Sequence, residues 1–106
     1  MNIDSVVTIG DYAFCNCDNL SWLSCSNVVD IGEHAFENCT LIENVDIPEA
    51  ESIGSHAFYG CNNLDSVYMG KANTIGPYAF YNCVNLRYIG NTNAVTNVGD
   101  YAFYNC

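Results

Sequence analysis

The chain has 106 residues and a formal net charge of −10, with Lys71 and Arg87 as its only lysine and arginine. This composition argues against direct nucleic-acid binding, which needs Lys and Arg on the phosphates, and against anionic membranes. The sequence contains no run of about 18 apolar residues, which is the length needed to span a bilayer.

A nine-residue motif recurs along the whole chain: Ile or Val, Gly, two variable residues, Ala-Phe, two variable residues and Cys. Its copies begin at Ile9, Ile31, Ile53, Ile75 and Val98, so they are 22, 22, 22 and 23 residues apart. A fixed period in this range predicts a solenoid. We expect one domain over residues 1–106, of about four and a half repeats, without recognisable caps.

The third copy illustrates the first half of each repeat. Ile53-Gly54 ends an extended stretch, and the glycine is expected to turn the chain with a positive φ. Ser55-His56-Ala57-Phe58 then predicts one helical or 3₁₀ turn, with Ser55 as its N-cap. The predicted fold class is therefore an α+β solenoid with one helical or 3₁₀ turn in each repeat of 22–23 residues.

The second half of the repeat predicts a corner and a strand. Asn62-Asn63 forms the corner, and residues 64–69 form a short strand that pairs in parallel with its equivalents. Val67 and Met69 alternate inward, whereas Tyr68 faces outward.

The recurring Ile, Ala, Phe, Cys and Leu positions predict ladders of buried side chains, which neighbouring repeats cover. Five cysteines hold the same repeat position and read as buried free thiols rather than as disulfides: Cys17, Cys39, Cys61, Cys83 and Cys106. No zinc-ligand pattern is present, and we expect neither a metal nor a cofactor.

The variable outward positions of the strands predict a partner-binding face, because aromatic side chains beside polar ones are typical of protein-binding surfaces. The candidate residues are Trp22, Glu43, Asn44, Asp46, Asp65, Tyr68 and Tyr88. The alternative is that these aromatic residues merely suit strands.

Two further rows are predicted to lie outside the solenoid. One follows the motif phenylalanine and contains Cys15, Glu37, Tyr59, Tyr81 and Tyr104. The other precedes the motif alanine and contains Tyr12, His34, His56, Tyr78 and Tyr101. The two histidines are expected to be stacked neighbours, with metal binding and pH sensing as alternatives.

The repeat I-G-x-x-A-F-x-x-C-x-x-L-x-x-V-x-I-P, complete at Ile47-Pro48, resembles the BspA-type leucine-rich repeat. The resemblance implies a right-handed leucine-rich-repeat superhelix with parallel strands on one face. It also implies adhesion to host proteins or cell coaggregation, as in surface proteins of anaerobic bacteria and some parasitic protists. Pro follows the strand in only this repeat, and we expect the signal peptide and anchoring domains that are usual in surface members to be missing.

Two functions follow as hypotheses. The first is a non-enzymatic module that binds another protein, since no catalytic motif is present. The second is a small acidic inhibitor from a phage or mobile element, of the anti-CRISPR or anti-restriction type, which blocks a nucleic-acid-binding protein by imitating its polyanion. Ten carboxylates between Asp4 and Glu51 motivate this alternative.

Localisation depends on the chain's extent: cytoplasmic if the chain is complete, cell-surface or secreted if a signal peptide has been removed. The last repeat predicts an uncovered apolar end, at which a homodimer would form. Its contact residues would be Val98, Phe103 and Tyr104.

Overall fold

A computed structural model describes all of residues 1–106. The chain winds into a β-solenoid of about four turns, here called rungs, each about 22 residues long. Its nine strands are β1 (Thr8–Ile9), β2 (Trp22–Ser24), β3 (Asp30–Ile31), β4 (Asn44–Asp46), β5 (Ser52–Ile53), β6 (Ser66–Tyr68), β7 (Thr74–Ile75), β8 (Tyr88–Gly90) and β9 (Asn97–Val98). No helical segment could cross a lipid bilayer.

The strands form two parallel sheets that lie along different sides of the solenoid. One sheet has the order β1-β3-β5-β7-β9, and the other has the order β2-β4-β6-β8. Each strand pairs with the residues one repeat later, as in Leu23 with Val45 and Val45 with Val67. The period of the sequence therefore becomes the register of the sheets.

The helical or 3₁₀ turn predicted in each repeat is wrong, because the solenoid contains no helix. Tyr12 has a φ of 59° and Asn16 a φ of 60°, and the equivalent positions of every later repeat are also left-handed. A right-handed helix cannot continue through residues with positive φ. The fold class is therefore a β-solenoid, and its parallel strands and repeat length are as predicted.

Hydrogen bonding explains why tight turns replace the helix. The Tyr12 and Phe14 amides donate to the Glu33 and Ala35 carbonyls of the next rung, at 2.9 and 2.8 Å. The intervening Ala13 amide donates back to the Gly10 carbonyl, at 3.2 Å. Two of these three amides therefore donate to a neighbouring rung, whereas a helix would have used them within its own turn.

The motif glycines serve a purpose different from the positive φ that we predicted for them. The only glycine with a positive φ is Gly60, which is not in the motif. A Cβ atom on Gly54 would instead lie 2.6 Å from the Gly32 carbonyl carbon of the rung before. Glycine is thus required because successive rungs approach each other there by their backbones.

The interior is a single apolar core with no buried polar or charged residue. Phe36, Phe58 and Phe80 are fully buried and stack with ring centroids 5.1 and 5.2 Å apart. Each such side chain contributes about 1.5–3 kcal/mol when enclosed. The predicted phenylalanine ladder is therefore confirmed.

The motif cysteines are free thiols, as predicted, but the burial predicted for all five is wrong for Cys17, which is half-buried, and for Cys106, which is exposed, because each has a motif neighbour on one side only. The other three are fully buried: Cys39, Cys61 and Cys83. Each Sγ lies within hydrogen-bonding distance of the phenylalanine carbonyl of the preceding rung, as in Cys61 to Phe36 at 3.1 Å. Burial raises the pKa of Cys39 to about 11 and that of Cys83 to about 12. These thiols therefore stay neutral and pack as small apolar groups.

Candidate functional site: the strand face

The outward side of the four-stranded sheet, here called the strand face, holds two rows in register. The first row is Trp22, Asn44, Ser66 and Tyr88, and the second is Ser24, Asp46, Tyr68 and Gly90. Residues alternate across a strand, so the buried Leu23, Val45 and Val67 between these rows fix their outward direction. The sheet therefore displays an array in which side chains repeat about every 4.8 Å.

Six of the seven predicted binding residues are exposed: Trp22, Glu43, Asn44, Asp46, Tyr68 and Tyr88. The seventh, Asp65, is half-buried beside them. The exposed fractions of Trp22, Tyr68 and Tyr88 are 49%, 42% and 61%, and none of these rings stacks on another ring. The structure thus brings the predicted residues to one side of the molecule.

Gly90 shapes the aromatic end of the strand face. A Cβ atom there would lie 2.8 Å from Tyr68 Cδ2 and 3.0 Å from Tyr88 Cε1. The two tyrosine rings therefore lie over the glycine, which is itself buried. This role was not predicted, because Gly90 stands where other repeats have a polar or aromatic residue.

A polar groove of about 640 Å³ runs beside the strand face. Its seven lining residues are Glu43, Asn44, Asn63, Asp65, Val84, Asn85 and Arg87. Three of them were predicted as binding residues, namely Glu43, Asn44 and Asp65. The asparagines at the corners were missed because corner asparagines read as turn formers.

The polar groups of the groove are partly paired with one another. Arg87 Nε donates to Asp65 Oδ1 at 2.6 Å, and Ser66 Oγ donates to Asn44 Oδ1, also at 2.6 Å. Glu43 has no cationic partner. Because Arg87 is largely exposed, its ion pair adds little to stability, and its main effect is to hold the guanidinium in place.

The turn side of the solenoid, here called the turn face, holds the two other predicted rows. Tyr12, His34, His56, Tyr78 and Tyr101 form one continuous stack with centroid separations of 4.6, 4.6, 4.9 and 5.2 Å. Tyr59, Tyr81 and Tyr104 form a second stack, at 5.0 and 5.1 Å. Most of the central rings are half-buried, because each covers the next.

The two histidines are stacked neighbours, as predicted. Their ring centroids are 4.6 Å apart, and each has its own partner: His34 Nδ1 contacts the Glu37 carboxylate, and His56 Nδ1 lies 2.7 Å from the Ser55 hydroxyl. Burial and the neighbouring His34 lower the pKa of His56. No group of three or more His, Cys, Asp or Glu side chains is arranged to hold a metal ion.

The acidic residues that motivated the polyanion hypothesis lie on different sides of the solenoid. Asp46 is on the four-stranded sheet and Asp30 on the five-stranded sheet, whereas Asp11 follows the motif glycine at the turns. Asp11 accepts the Glu33 amide at 2.8 Å, so it serves the packing of rungs. Glu49 pairs with Lys71. The negative charge is therefore spread around the molecule.

The last rung is exposed where self-association was predicted. Val98 and Tyr104 are each 54% exposed, whereas Phe103 is half-buried and stacks on Phe80 at 5.2 Å. At the other end, Asn2 forms a parallel bridge with Ser24. The first residues thus occupy the strand position of a further copy, which precedes the five complete motifs.

Comparison with known proteins identifies the repeat. Residues 2–106 match the BspA type leucine rich repeat region in six copies. A leucine-rich repeat protein from Eubacterium ventriosum has 30% identity and a TM-score of 0.87 over 97% of this chain, which corresponds to 29% of that protein. No curated protein matches the sequence.

Two further solved structures share the fold. A leucine-rich repeat protein from Bacteroides ovatus has 23% identity and a TM-score of 0.70, over 99% of this chain and 34% of its own. A leucine rich cell surface protein from Faecalibacterium prausnitzii has 26% identity and a TM-score of 0.63, over 93% of this chain and 34% of its own. The chain thus spans about a third of the length of these proteins, and it belongs to the BspA type leucine-rich repeat family.

Proposed function

We propose that this chain is a non-enzymatic recognition module that binds a partner protein through its strand face. The observation that carries the proposal is the contrast in aromatic packing. Trp22, Tyr68 and Tyr88 are exposed without stacking on other rings, whereas the exposed aromatic residues of the turn face, Tyr12, Tyr101 and Tyr104, are stacked. Exposed Trp and Tyr beside polar groups are characteristic of binding hot spots.

A relative supports a location outside the cell. It is described as a cell surface protein, and a repeat array that presents a regular outer face suits adhesion. We therefore place the module in the surface-exposed part of a bacterial protein, where its strand face contacts a host or neighbouring cell.

A capture experiment tests this proposal. The wild-type chain and a Trp22→Ala/Tyr68→Ala/Tyr88→Ala variant are immobilised and exposed to extracts of host-cell surface proteins. A matched control carries Tyr12→Ala and Tyr101→Ala on the turn face, where both residues are also exposed. The proposal requires that the strand-face variant loses the captured proteins and that the control retains them. Equal capture by both variants contradicts it.

Polyanion mimicry stays a separate prediction with its own test. If it operates, Glu43→Lys with Asp46→Lys weakens partner binding more than Tyr68→Ala does, and added salt has the same effect. If the aromatic substitutions dominate and salt changes little, mimicry fails. The spread of carboxylates around the solenoid favours the second outcome.

A further inference from the structure

We infer that the groove beside the strand face binds a short, neutral oligosaccharide, so that the recognised partner is a glycan-bearing molecule. This inference rests on the proposed function and names the chemistry of its partner. The groove has a volume of about 640 Å³, and Val84 is the only hydrophobic residue among its seven lining residues. Such a surface suits a ligand that is bound mainly by hydrogen bonds.

The groove presents donors and acceptors side by side. Ser66 occupies the Oδ1 atom of Asn44, which leaves the two amide hydrogens of Asn44 free to donate. Asn85 donates its amide to the Asn62 carbonyl at 2.7 Å, which leaves its Oδ1 free to accept. Sugar hydroxyl groups both donate and accept, so adjacent hydroxyls match this arrangement.

The Asp65–Arg87 ion pair adds one charged donor and one charged acceptor to the neutral ones. Arg87 uses Nε and Nη2 on Asp65 Oδ1, which leaves Nη1 as a donor and Asp65 Oδ2 as an acceptor. Hydrogen bonds to charged groups are stronger than those between neutral groups. Because each partner holds the other, less side-chain freedom is lost when a ligand binds.

Two open aromatic rings flank the polar groups. Trp22 is the direct neighbour of Asn44 in the sheet, and Tyr88 lies two rungs beyond Asn44 in the same row. Trp22 and Tyr88 are three rungs apart, which is roughly 14 Å at strand spacing. Their unstacked faces are available to the apolar C–H faces of sugar rings, and the separation suits about three linked sugars.

Charge and backbone pairing select this ligand over others. The groove is lined by two carboxylates, Glu43 and Asp65, and by one guanidinium, Arg87. Because the chain also has a net charge of −10, acidic sugars are disfavoured. The Glu43, Asp65 and Arg87 amides donate to neighbouring rungs at 2.8, 2.8 and 3.0 Å. An extended peptide would therefore find these backbone donors already used, and no deep apolar pocket to anchor a side chain.

Trp22 makes the test specific, because it is the only tryptophan of the chain. Purified protein is titrated with mannotriose, cellotriose and triacetylchitotriose, and with an acidic sialyl-trisaccharide, while Trp22 fluorescence and amide NMR shifts are recorded. We expect saturable binding of at least one neutral probe and none of the acidic one. Asn44→Ala and Arg87→Ala weaken that binding about tenfold or more, whereas Thr74→Ala on the five-stranded sheet leaves it unchanged.

The inference is overturned if no neutral probe gives a saturable response, or if the two groove variants bind as well as the wild type. Repeating the capture experiment with enzymatically deglycosylated extract separates the two proposals. Undiminished capture from that extract through the strand face refutes the sugar-binding inference and leaves the proposed function standing. Capture that does not depend on the strand face refutes the proposed function.

Discussion

Tyr78 and Tyr88 occupy opposite surroundings in neighbouring parts of one repeat. On the turn face, Tyr78 lies between His56 and Tyr101, with ring centroids 4.9 and 5.2 Å away. On the strand face, Tyr88 stacks on no ring and is 61% exposed. The turn-face row has an aromatic residue in every rung, so each ring covers the next. In the strand-face row, the polar residues Asn44 and Ser66 separate Trp22 from Tyr88, so these two rings stay uncovered.

This difference separates the aromatic residues that support the fold from those free to bind. The row of the turn face that runs from Tyr12 to Tyr101 is also left-handed, and Tyr78 has a φ of 59°. A non-glycine residue with a left-handed backbone destabilises the fold by about 1 kcal/mol or more. Each stacked pair of rings stabilises it by about 0.5–1.5 kcal/mol. Stacking therefore offsets backbone strain on the turn face, a requirement that the strand face does not have.

The largest expected effect lies beneath the turn face. Phe58→Ala removes a fully buried ring between Phe36 and Phe80, and we expect it to lower the free energy of unfolding by about 3–5 kcal/mol. Tyr59→Ala, at the adjacent half-buried position, should cost about 1 kcal/mol, because one stacked pair is lost. Urea unfolding of both variants measures the difference. Similar losses would contradict the inward and outward assignments of these residues.

The buried thiols predict a loss of stability at alkaline pH. An unfolded Cys39 loses its proton near pH 9, whereas the folded thiol keeps it until about pH 11. The free energy of unfolding should therefore be unaffected below pH 9 and fall as the pH rises, by about 3 kcal/mol for this residue. Urea unfolding at several pH values measures the slope.

Cys39→Ala is the control for this pH dependence. The variant starts from a lower stability because of its cavity, but it should lose less further stability between pH 9 and pH 11. An identical slope in the variant and the wild type would show that this thiol does not titrate as described.

A matched pair of substitutions tests the comparison of the two faces directly. Tyr78→Ala should lower the free energy of unfolding by about 1–2 kcal/mol, because two stacking contacts are lost and the left-handed backbone remains. Tyr88→Ala should cost less than about 0.5 kcal/mol, as for an exposed surface residue. Thermal or urea unfolding checks both values, and equal losses would remove the distinction between the faces.

A Tyr78→Gly substitution separates the loss of stacking from the strain of the left-handed backbone. Tyr78→Gly loses the same stacking, but glycine adopts a positive φ without a steric penalty. It should therefore be more stable than Tyr78→Ala by about 1 kcal/mol. A Tyr78→Gly variant that is less stable than Tyr78→Ala would indicate that strain at this position is negligible.

Self-association through the last rung is the smallest expected effect. Val98 and Tyr104 expose apolar surface there, and two copies meeting about a twofold axis would cover it. Light scattering at high protein concentration should detect a dimer of the wild type, which Phe103→Asp weakens. A wild type that stays monomeric at every concentration refutes this prediction.

The sequence alone determined the solenoid, its period and its interior. Because the same residue types recur every 22 residues, parallel stacking is the arrangement that buries every Phe, Ala and Ile position at once. Phe58, Cys61 and Val67 are accordingly buried as predicted. The outward direction of Trp22 and Tyr68 followed from the strand alternation that places Leu23 and Val67 inside.

Only the tertiary structure decided how the rungs meet. Gly54 is needed because the backbone of the preceding rung approaches it, and Tyr12 turns left-handed because its amide serves the following rung. Both effects depend on atoms about 22 residues away, whereas local sequence patterns report only on the chain nearby. The groove could not be predicted for the same reason, because Asn44, Asp65 and Arg87 come from three different repeats and line one groove only when these repeats are stacked.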